Sequence, residues 1–340
     1  MNKITKQELE FYRREIAPML PPKVLDFHTH IWSSKNWKDV PWKVGAKGAQ
    51  YMVSVPEYPA KMLLADGQRT FPDREYHAVA FGYPVPVTVW EKDTAYMAAA
   101  ARKHPNIYPL VLAGPDLGIS RERYIRALDE GGFYGFKVFL NWFGDNYGDK
   151  RVEEMFGKTE LELMNERRLV TMLHVPRSGR LADPVIQKGV QWLAKECPEA
   201  SIVLAHGGRC YIPSEMKRAI HSIRNLPNVV MDVSMVMEPV CLQLALDVIG
   251  PQRVLYATDF PVANMRGRRV SVMDHWVDVV LPGYPKSAYR VAGEIHATYM
   301  SVEIALALRW AADLAGLKQK EVHGMFWDYG MRLLKRVKRK

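Results

Sequence analysis

The sequence lacks the features that mark membrane-spanning and disulfide-stapled proteins. No apolar run in its 340 residues comes near the roughly 20 residues that a transmembrane helix needs. Its three cysteines are far apart and include no CxxC pair, so they predict buried thiols rather than a disulfide framework or a thiolate zinc site. The first residues also lack the apolar core of a secretion signal. Together these absences predict a cytoplasmic protein.

Internal repeats, low-complexity segments and breaks in composition are missing too, so we expect one domain over residues 1–340. The net charge is +10, but five basic residues lie within positions 335–340. No nucleic-acid-binding motif accompanies this basic tail, and we interpret it as a solvated, frayed C-terminus. A tether to an anionic surface is the alternative. Neither nucleic acid nor a membrane is therefore an expected partner.

Strand-like and helix-like segments alternate along the chain, as they do in proteins built from βα units. The pattern predicts eight strands, near residues 24–29, 77–83, 107–113, 133–140, 169–175, 201–206, 228–235 and 253–258. Some helix starts are marked as well. Thr159 with Glu162 predicts a capping box, and Asp183-Pro184 places a proline in a first helical turn. The fold class that follows is α/β, with a (β/α)8 TIM barrel.

Two long segments interrupt this alternation. Residues 31–76 leave the end of the first predicted strand, and a connection of that length is usually functional or carries small elements of its own. We expect it to form a lid over the barrel mouth. Residues 262–290 follow the last strand and are expected to lie over the same end. Residues 291–317 and 319–337 then predict extra C-terminal helices.

Five polar side chains follow short apolar runs, where predicted strands end. His28 and His30 close the first strand and, being two residues apart, point to the same side of it. His174 closes the fifth strand, His206 the sixth and Asp259 the eighth. Active sites of (β/α)8 barrels collect at these C-terminal strand ends, and imidazole and carboxylate groups suit zinc. The sequence therefore predicts a metal site at the barrel mouth.

The motifs around these residues resemble those of the amidohydrolase superfamily, within it the amidohydrolase-related group with lactonases and aminocarboxymuconate-semialdehyde-type decarboxylases. The resemblance lies in the segments Asp26-Phe27-His28-Thr29-His30, His206-Gly207-Gly208 and Thr258-Asp259-Phe260-Pro261. The resemblance implies a distorted barrel and one divalent metal, expected to be zinc, with a water molecule on it. The implied ligands are His28, His30, His174 and Asp259.

Three side chains are candidate catalytic residues. Asp259 can accept a proton from the metal-activated water and return it later. His206 is expected to polarise the substrate carbonyl, and binding a second metal is its alternative role. Lys137 lies inside the fourth predicted strand, where a free ammonium is costly to bury. It is expected to pair with a substrate carboxylate or stabilise an oxyanion. The alternatives are a salt bridge within the barrel and, by resemblance, a carbamate that holds a second metal.

Cations and aromatic rings follow the same strand ends. Arg177 and Arg209 each lie three residues beyond a site histidine, and arginine recognises carboxylates through paired hydrogen bonds. They are expected to bind substrate, and tying loops together is the alternative. Trp142, Tyr83 and Trp32 can wall an apolar or aromatic pocket, or simply pack.

We therefore expect a metal-dependent hydrolase of a small, carboxylate-bearing lactone, amide or related substrate. A non-oxidative decarboxylase of a small carboxylic acid would use the same ligands and is the alternative. A non-catalytic barrel that only binds its ligand is a third hypothesis. Related barrels often pair, so a homodimer is an open expectation. One departure from the family is Gly324-Met325-Phe326-Trp327, which stands where many members have Gly-Asn-Ala.

Overall fold

The computed structural model describes residues 4–38, 55, 57–83, 87–140, 147–280 and 297–339. The described strands are β1 (Lys23–His30), β2 (Trp32–Ser33), β3 (Glu57–Tyr58), β4 (Glu75–Phe81), β5 (Ile107–Pro109), β6 (Val111–Ala113), β7 (Gly135–Val138), β8 (Val170–Leu173), β9 (Ser201–Leu204), β10 (Val229–Asp232), β11 (Val254–Leu255), β12 (Gly267–Val272) and β13 (His275–Val280). The described α-helices of five or more residues are α1 (Lys6–Glu15), α2 (Ala60–Thr70), α3 (Trp90–Lys103), α4 (Arg121–Glu130), α5 (Lys158–Glu166), α6 (Pro184–Glu196), α7 (Pro213–Ala219), α8 (Pro239–Ile249), α9 (Met300–Leu314), α10 (Gln319–His323) and α11 (Tyr329–Arg336).

The parallel strands follow one another around the molecule in chain order. One sheet contains β1, β4 and β5, and the other runs from β6 to β11. Only Leu110 separates β5 from β6, and its N–H donates to the Ala80 carbonyl of β4 at 2.9 Å. We therefore treat β5 and β6 as one interrupted strand, which makes eight strand positions among the described residues.

The last strand position lies beside the first. The Phe27 N–H of β1 donates to the Tyr256 carbonyl at 3.0 Å, and Thr29 forms an isolated parallel bridge with Phe260. These contacts join the two ends of the sheet without a continuous ladder. The result is a distorted (β/α)8 barrel, as predicted, in which parallel strands are covered by helices.

Each predicted barrel strand overlaps an observed one, because buried parallel strands give continuous apolar runs. The prediction of a helix start at Asp183-Pro184 is also confirmed, since the Asp183 side chain accepts from the Val185 N–H at 2.8 Å. The predicted capping box at Thr159 is wrong. Helix α5 begins at Lys158, and its reciprocal contact joins the Glu160 carboxylate to the Gly157 N–H at 3.0 Å. Glycine has no side-chain oxygen that marks a helix start, and the nearby Thr159 hydroxyl therefore gave the wrong prediction.

The two interrupting segments carry short elements of their own. Strands β2 and β3 form an antiparallel ribbon within residues 31–76, and α2 follows it. Strands β12 and β13 form an antiparallel hairpin within residues 262–290. Residues 39–54 and 281–296 lie outside the described part of the chain, and the lid function of these segments stays a prediction.

The C-terminal helices end in a tail that packs on the barrel. The Lys338 N–H donates to the Arg167 carbonyl at 2.8 Å, and the Arg339 guanidinium lies 4.1 Å from the centre of the Tyr134 ring. The prediction of a frayed tail is therefore wrong for residues up to 339, because the cationic side chains find a ring and free carbonyls to contact. No described helix combines the length and the apolar character that crossing a bilayer requires.

Candidate active site and metal centre

Two buried histidines and one partly buried aspartate form a cluster where β1 ends. His30 Nε2 is 3.1 Å from Asp259 Oδ1, and His28 Nε2 is 3.5 Å from the same oxygen. One nitrogen or oxygen from each of the three side chains lies within 4.8 Å of the others. Alternation along β1 puts both imidazoles on one side of the strand, as the sequence predicted.

Asp259 is held in place by contacts with β1. Its backbone φ is 70°, an uncommon value outside glycine, and its N–H donates to the His28 carbonyl at 2.8 Å. The fully buried Asp26 carboxylate accepts the Thr258 N–H at 2.9 Å and the Thr258 hydroxyl at 2.6 Å. Asp26 therefore clamps the segment that carries Asp259 onto the first strand.

Hydrogen bonds determine which ring nitrogens of His28 and His30 face the Asp259 carboxylate. His30 Nδ1 lies 3.2 Å from the Gly82 carbonyl, and His28 Nδ1 lies 2.8 Å from Asp232 Oδ2. Both acceptors require a proton on Nδ1, so both Nε2 atoms present lone pairs toward Asp259. Two lone pairs and a carboxylate that face each other form a donor set that fits a divalent cation.

The protonation states in the cluster also suit a metal. Burial lowers the pKa of His28 well below its ordinary value and lowers that of His30, so both rings are neutral at neutral pH. Burial alone would raise the pKa of Asp259, but the surrounding imidazoles of His30, His206 and His28 hold it below its ordinary value. Neutral imidazole and ionised carboxylate are the forms that bind metals.

Lys137 reaches this cluster from β7. Its fully buried Nζ lies 3.3 Å from His28 Nε2 and 4.2 Å from the centre of the Phe81 ring. Burial lowers the pKa of Lys137 to about 7, against the attraction of Asp232 and Asp259. The amine is therefore near the cluster and easily deprotonated, which is compatible with each of its predicted roles.

His206 stands beside the cluster on a left-handed turn. Its ring centre is 4.7 Å from that of His28, and the backbone φ of His206 is 55°. Gly207 and Gly208 continue the turn with φ of 59° and 66°, and a Cβ on Gly208 would lie 2.7 Å from the Leu181 side chain. The glycine pair therefore permits a strained turn that places His206 at the mouth.

His174 lies beside His206. The two ring centres are 5.0 Å apart, and Phe139 meets His174 edge-on at 4.7 Å. His174 Nδ1 is buried and has no hydrogen-bond partner among the described residues. His174 belongs to neither of the two potential metal-binding groups within that part of the chain. Its role as a fourth ligand stays a prediction, although its orphaned nitrogen fits one.

Asp232 and Ser234 are site residues that sequence reasoning missed. Asp232 ends β10, after the apolar run Val229-Val230-Met231, so it carries the same strand-end signal as the predicted residues. Burial raises the pKa of the Asp232 carboxyl, and the neighbouring His206 and the Ser234 hydroxyl act against that rise. With His28 and His206, Asp232 forms the second group whose ligand atoms lie within 4.8 Å of one another.

The two predicted substrate arginines differ in what they contact. Arg177 Nε donates to Asp183 Oδ2 at 2.7 Å and its Nη1 to the Asp149 carbonyl at 3.0 Å, so it ties loops together. Arg209 Nη1 donates only to the carbonyls of Val175 and Arg177, at 2.9 and 3.1 Å. No carboxylate of the described chain forms a salt bridge with Arg209. Its positive charge also lowers the pKa of His174, after burial and His206.

The predicted aromatic wall is a packed layer where the structure describes it. Trp32 and Tyr83 are buried and stack with their ring centres 5.0 Å apart, and Trp32 Nε1 donates to the Val55 carbonyl at 3.1 Å. Packing, the alternative role, therefore describes both rings. Trp142 lies outside the described residues.

A parallel barrel that carries a His/His/Asp cluster at its mouth defines a TIM-barrel-like enzyme able to bind a metal. A family profile described as Amidohydrolase matches residues 25–271, which is most of the chain. The chain belongs to the amidohydrolase family. No curated protein sequence matches it.

Solved structures share this fold at low sequence identity. An amidohydrolase from Burkholderia multivorans with bound zinc has a TM-score of 0.59 and 17% identity, with 92% of this chain and 99% of that chain covered. A 5-carboxyvanillate decarboxylase from Novosphingobium aromaticivorans with bound manganese has a TM-score of 0.59 and 14% identity, with 92% of this chain and 96% of that chain covered. A 4-oxalomesaconate hydratase from Rhodopseudomonas palustris has a TM-score of 0.57 and 14% identity, with 92% of this chain and 96% of that chain covered. These similarities show a common barrel.

Proposed function

We propose that the chain is a metal-dependent hydrolase of a small, carboxylate-bearing lactone, amide or related substrate. The observation that carries this proposal is the His28, His30 and Asp259 cluster, in which two Nε2 lone pairs and an ionised carboxylate converge. A barrel that only binds its ligand would have no physical need for this arrangement, in which two buried neutral rings face a partly buried charged carboxylate.

Zinc is the proposed metal, because imidazole nitrogen and carboxylate oxygen are ligands that zinc accepts readily. His28, His30 and Asp259 would hold it, with His174 as the proposed fourth ligand. A bound divalent ion would act as a Lewis acid and lower the pKa of water from about 16 toward about 7. The zinc and manganese in the related barrels support the proposal without deciding the metal.

Asp259 and His206 would handle protons. Asp259 stays ionised, so it can accept the proton of the attacking water while the water oxygen bonds to the substrate carbonyl carbon. The proton then passes to the leaving oxygen or nitrogen as its bond to that carbon breaks. Burial lowers the pKa of His206, and its Nδ1 lies 2.8 Å from the Ser234 hydroxyl. This favours proton transfer at His206 Nε2 over the predicted polarisation of the carbonyl by a neutral ring.

Arg209 is the better candidate for binding a substrate carboxylate. Within the described part of the chain its guanidinium donates to carbonyl oxygens and lies 6.0 Å from the centre of the Tyr147 ring, whereas Arg177 is paired with Asp183. An arginine without an anionic partner beside a metal site favours an acidic ligand. Lys137 remains a second proposed contact, for the carboxylate or the developing oxyanion.

Decarboxylation is the second proposed reaction, and Arg209 is again the observation that favours it. A carboxylate held by Arg209 would leave as carbon dioxide. His206 or Asp259 would first take up a proton from water and then deliver it to the carbon that the carbon dioxide leaves. The related 5-carboxyvanillate decarboxylase shares the fold. Both reactions use one set of residues, so a chemical readout must separate them.

The test begins with metal content. Protein purified without chelators should hold about one divalent ion per chain by elemental mass spectrometry, the number expected for a mononuclear site. His30→Ala and Asp259→Asn should lose that ion, and Asp129→Asn, which removes a carboxylate paired with Arg167 away from the cluster, should keep it. Full metal content in both cluster variants would refute the ligand assignment.

Turnover is then measured on lactones, amides and aromatic acids in water labelled with heavy oxygen or in deuterium oxide. Hydrolysis places the heavy oxygen in the product carboxylate. Decarboxylation releases carbon dioxide and places deuterium on carbon instead. Metal-loaded protein that binds such acids without converting any of them would support the non-catalytic hypothesis and overturn the proposal.

A further inference from the structure

We propose that Asp232 is a positioning residue that sets the proton on two site imidazoles at once, with Ser234 as its link to the second. Asp232 lies at the end of β10 and is fully buried, as is Ser234. The proposal rests on the proposed function for its effect on turnover. Its structural part concerns only the chain's own hydrogen bonds.

The Asp232 carboxylate is occupied by donors on both oxygens. Oδ1 accepts the His206 N–H and the Ser234 N–H, each at 3.0 Å, and also the Ser234 hydroxyl in a short contact. Oδ2 accepts His28 Nδ1 at 2.8 Å. This saturation argues against Asp232 as a metal ligand, although its oxygen lies within 4.8 Å of nitrogens of His28 and His206.

The first consequence concerns His28. A carboxylate cannot donate, so His28 Nδ1 carries the proton and Nε2 keeps its lone pair on the side of Asp259. A carboxylate behind a ligating imidazole also fixes the ring plane and increases the basicity of the opposite nitrogen. Asp232 thereby prepares His28 to act as a ligand through Nε2.

The second consequence concerns His206 and runs through Ser234. The Ser234 hydroxyl has a single hydrogen, which its contact with Asp232 Oδ1 uses. At 2.8 Å from His206 Nδ1 the hydroxyl oxygen must therefore accept, and so must the Ser234 carbonyl at 3.3 Å. His206 Nδ1 carries a proton as well, and its Nε2 is left to exchange protons with substrate.

An amide at position 232 cannot reproduce this pattern. Asn has one accepting oxygen, whereas the site offers backbone and hydroxyl donors to one oxygen and the His28 ring to the other. In Asp232→Asn, either His28 must change tautomer or two backbone N–H groups face an NH2 group. Removing the carboxylate that accepts a hydrogen bond from a metal-ligating histidine weakens metal binding by about 10- to 100-fold.

The first measurement is the tautomer of both rings in the metal-free wild-type protein, by long-range nitrogen–proton NMR correlation. We expect neutral rings protonated at Nδ1 for His28 and His206. A proton on Nε2 of His28 would overturn the proposal. This result requires neither a variant nor a metal, so it stands even if the proposed function fails.

The second measurement uses Asp232→Asn, Ser234→Ala and the control Asp129→Asn. In competition with a chromogenic chelator, Asp232→Asn should weaken zinc binding by about 10- to 100-fold. Ser234→Ala should change the zinc affinity far less. It should shift the pH profile of kcat and leave KM unchanged, because it removes one of the two oxygens that accept from His206 Nδ1. Wild-type zinc affinity in Asp232→Asn would refute the positioning role. Wild-type protein that binds no zinc would instead refute the proposed function.

Discussion

Single buried carboxyl groups determine part of the pH dependence of stability. Asp93 is buried in the first turn of α3, and burial raises its pKa from 3.8 to about 8. Since the folded pKa exceeds the unfolded one, its contribution to stability is fully present below the unfolded pKa and is lost as the pH rises through about 8. A group of this kind makes the folded protein take up a proton that the unfolded chain does not hold.

Asp93→Asn removes the titrating carboxyl group and nearly preserves the shape of the side chain. We expect the free energy of unfolding of the variant, relative to wild type, to increase between about pH 5 and about pH 8, by about 1.4 kcal/mol for each unit of pKa difference spanned. Urea unfolding at several pH values measures it, and Asp129→Asn controls for net charge. A difference that stays constant over that range would contradict the prediction.

The sequence could predict His28, His30 and Asp259 as candidate site residues, because each closes an apolar run. His28, His30 and Asp259 come together since strand ends of a barrel share one edge. Asp232 closes such a run too, but its importance depends on a hydrogen bond to His28, 204 positions away. Pairings over that distance follow from the packed fold and leave no local signal.

At the scale of elements, the barrel strands were predictable and the fine detail of their ends was not. Apolar runs identify β7 and its neighbours, whereas the start of α5 depends on a glycine cap that composition does not reveal. The pairing of β7 with β8 depends on a close backbone approach. A Cβ at Gly135 would lie 1.8 Å from the Val170 carbonyl oxygen.

Gly135→Ala should therefore push β7 away from β8. We expect it to lower the free energy of unfolding by about 2–4 kcal/mol, because overpacking against backbone cannot be relieved by a side-chain rotation. Gly148→Ala is the matched control, since nothing lies within 4 Å of a Cβ there, and it should change stability by less than about 0.5 kcal/mol. Thermal and urea unfolding measure both. Equal stabilities of the two variants would contradict the close approach.

At the scale of the whole molecule, the two ends of the barrel have separate tasks. The candidate site occupies the end where β1 finishes, and the basic tail contacts Tyr134, which precedes β7 at the other end. Charge patterning identified the tail but could not show its docking, because a cation–π contact depends on where a ring lies in the fold. A homodimer stays a prediction.

Removing residues 338–340 tests this separation of tasks. The deletion removes the backbone hydrogen bond from Lys338 to Arg167 and the contact of Arg339 with the Tyr134 ring. Each contact is worth about 0.5–1.5 kcal/mol, so the free energy of unfolding should fall by about 1–3 kcal/mol. Zinc affinity and kcat/KM should stay at wild-type values, because the cluster of His28, His30 and Asp259 lies at the opposite strand ends. Arg339→Ala should give the smaller share of the same loss. A truncated protein of wild-type stability would show that the tail contacts contribute nothing in solution. A loss of zinc affinity would show that the two ends of the barrel are coupled.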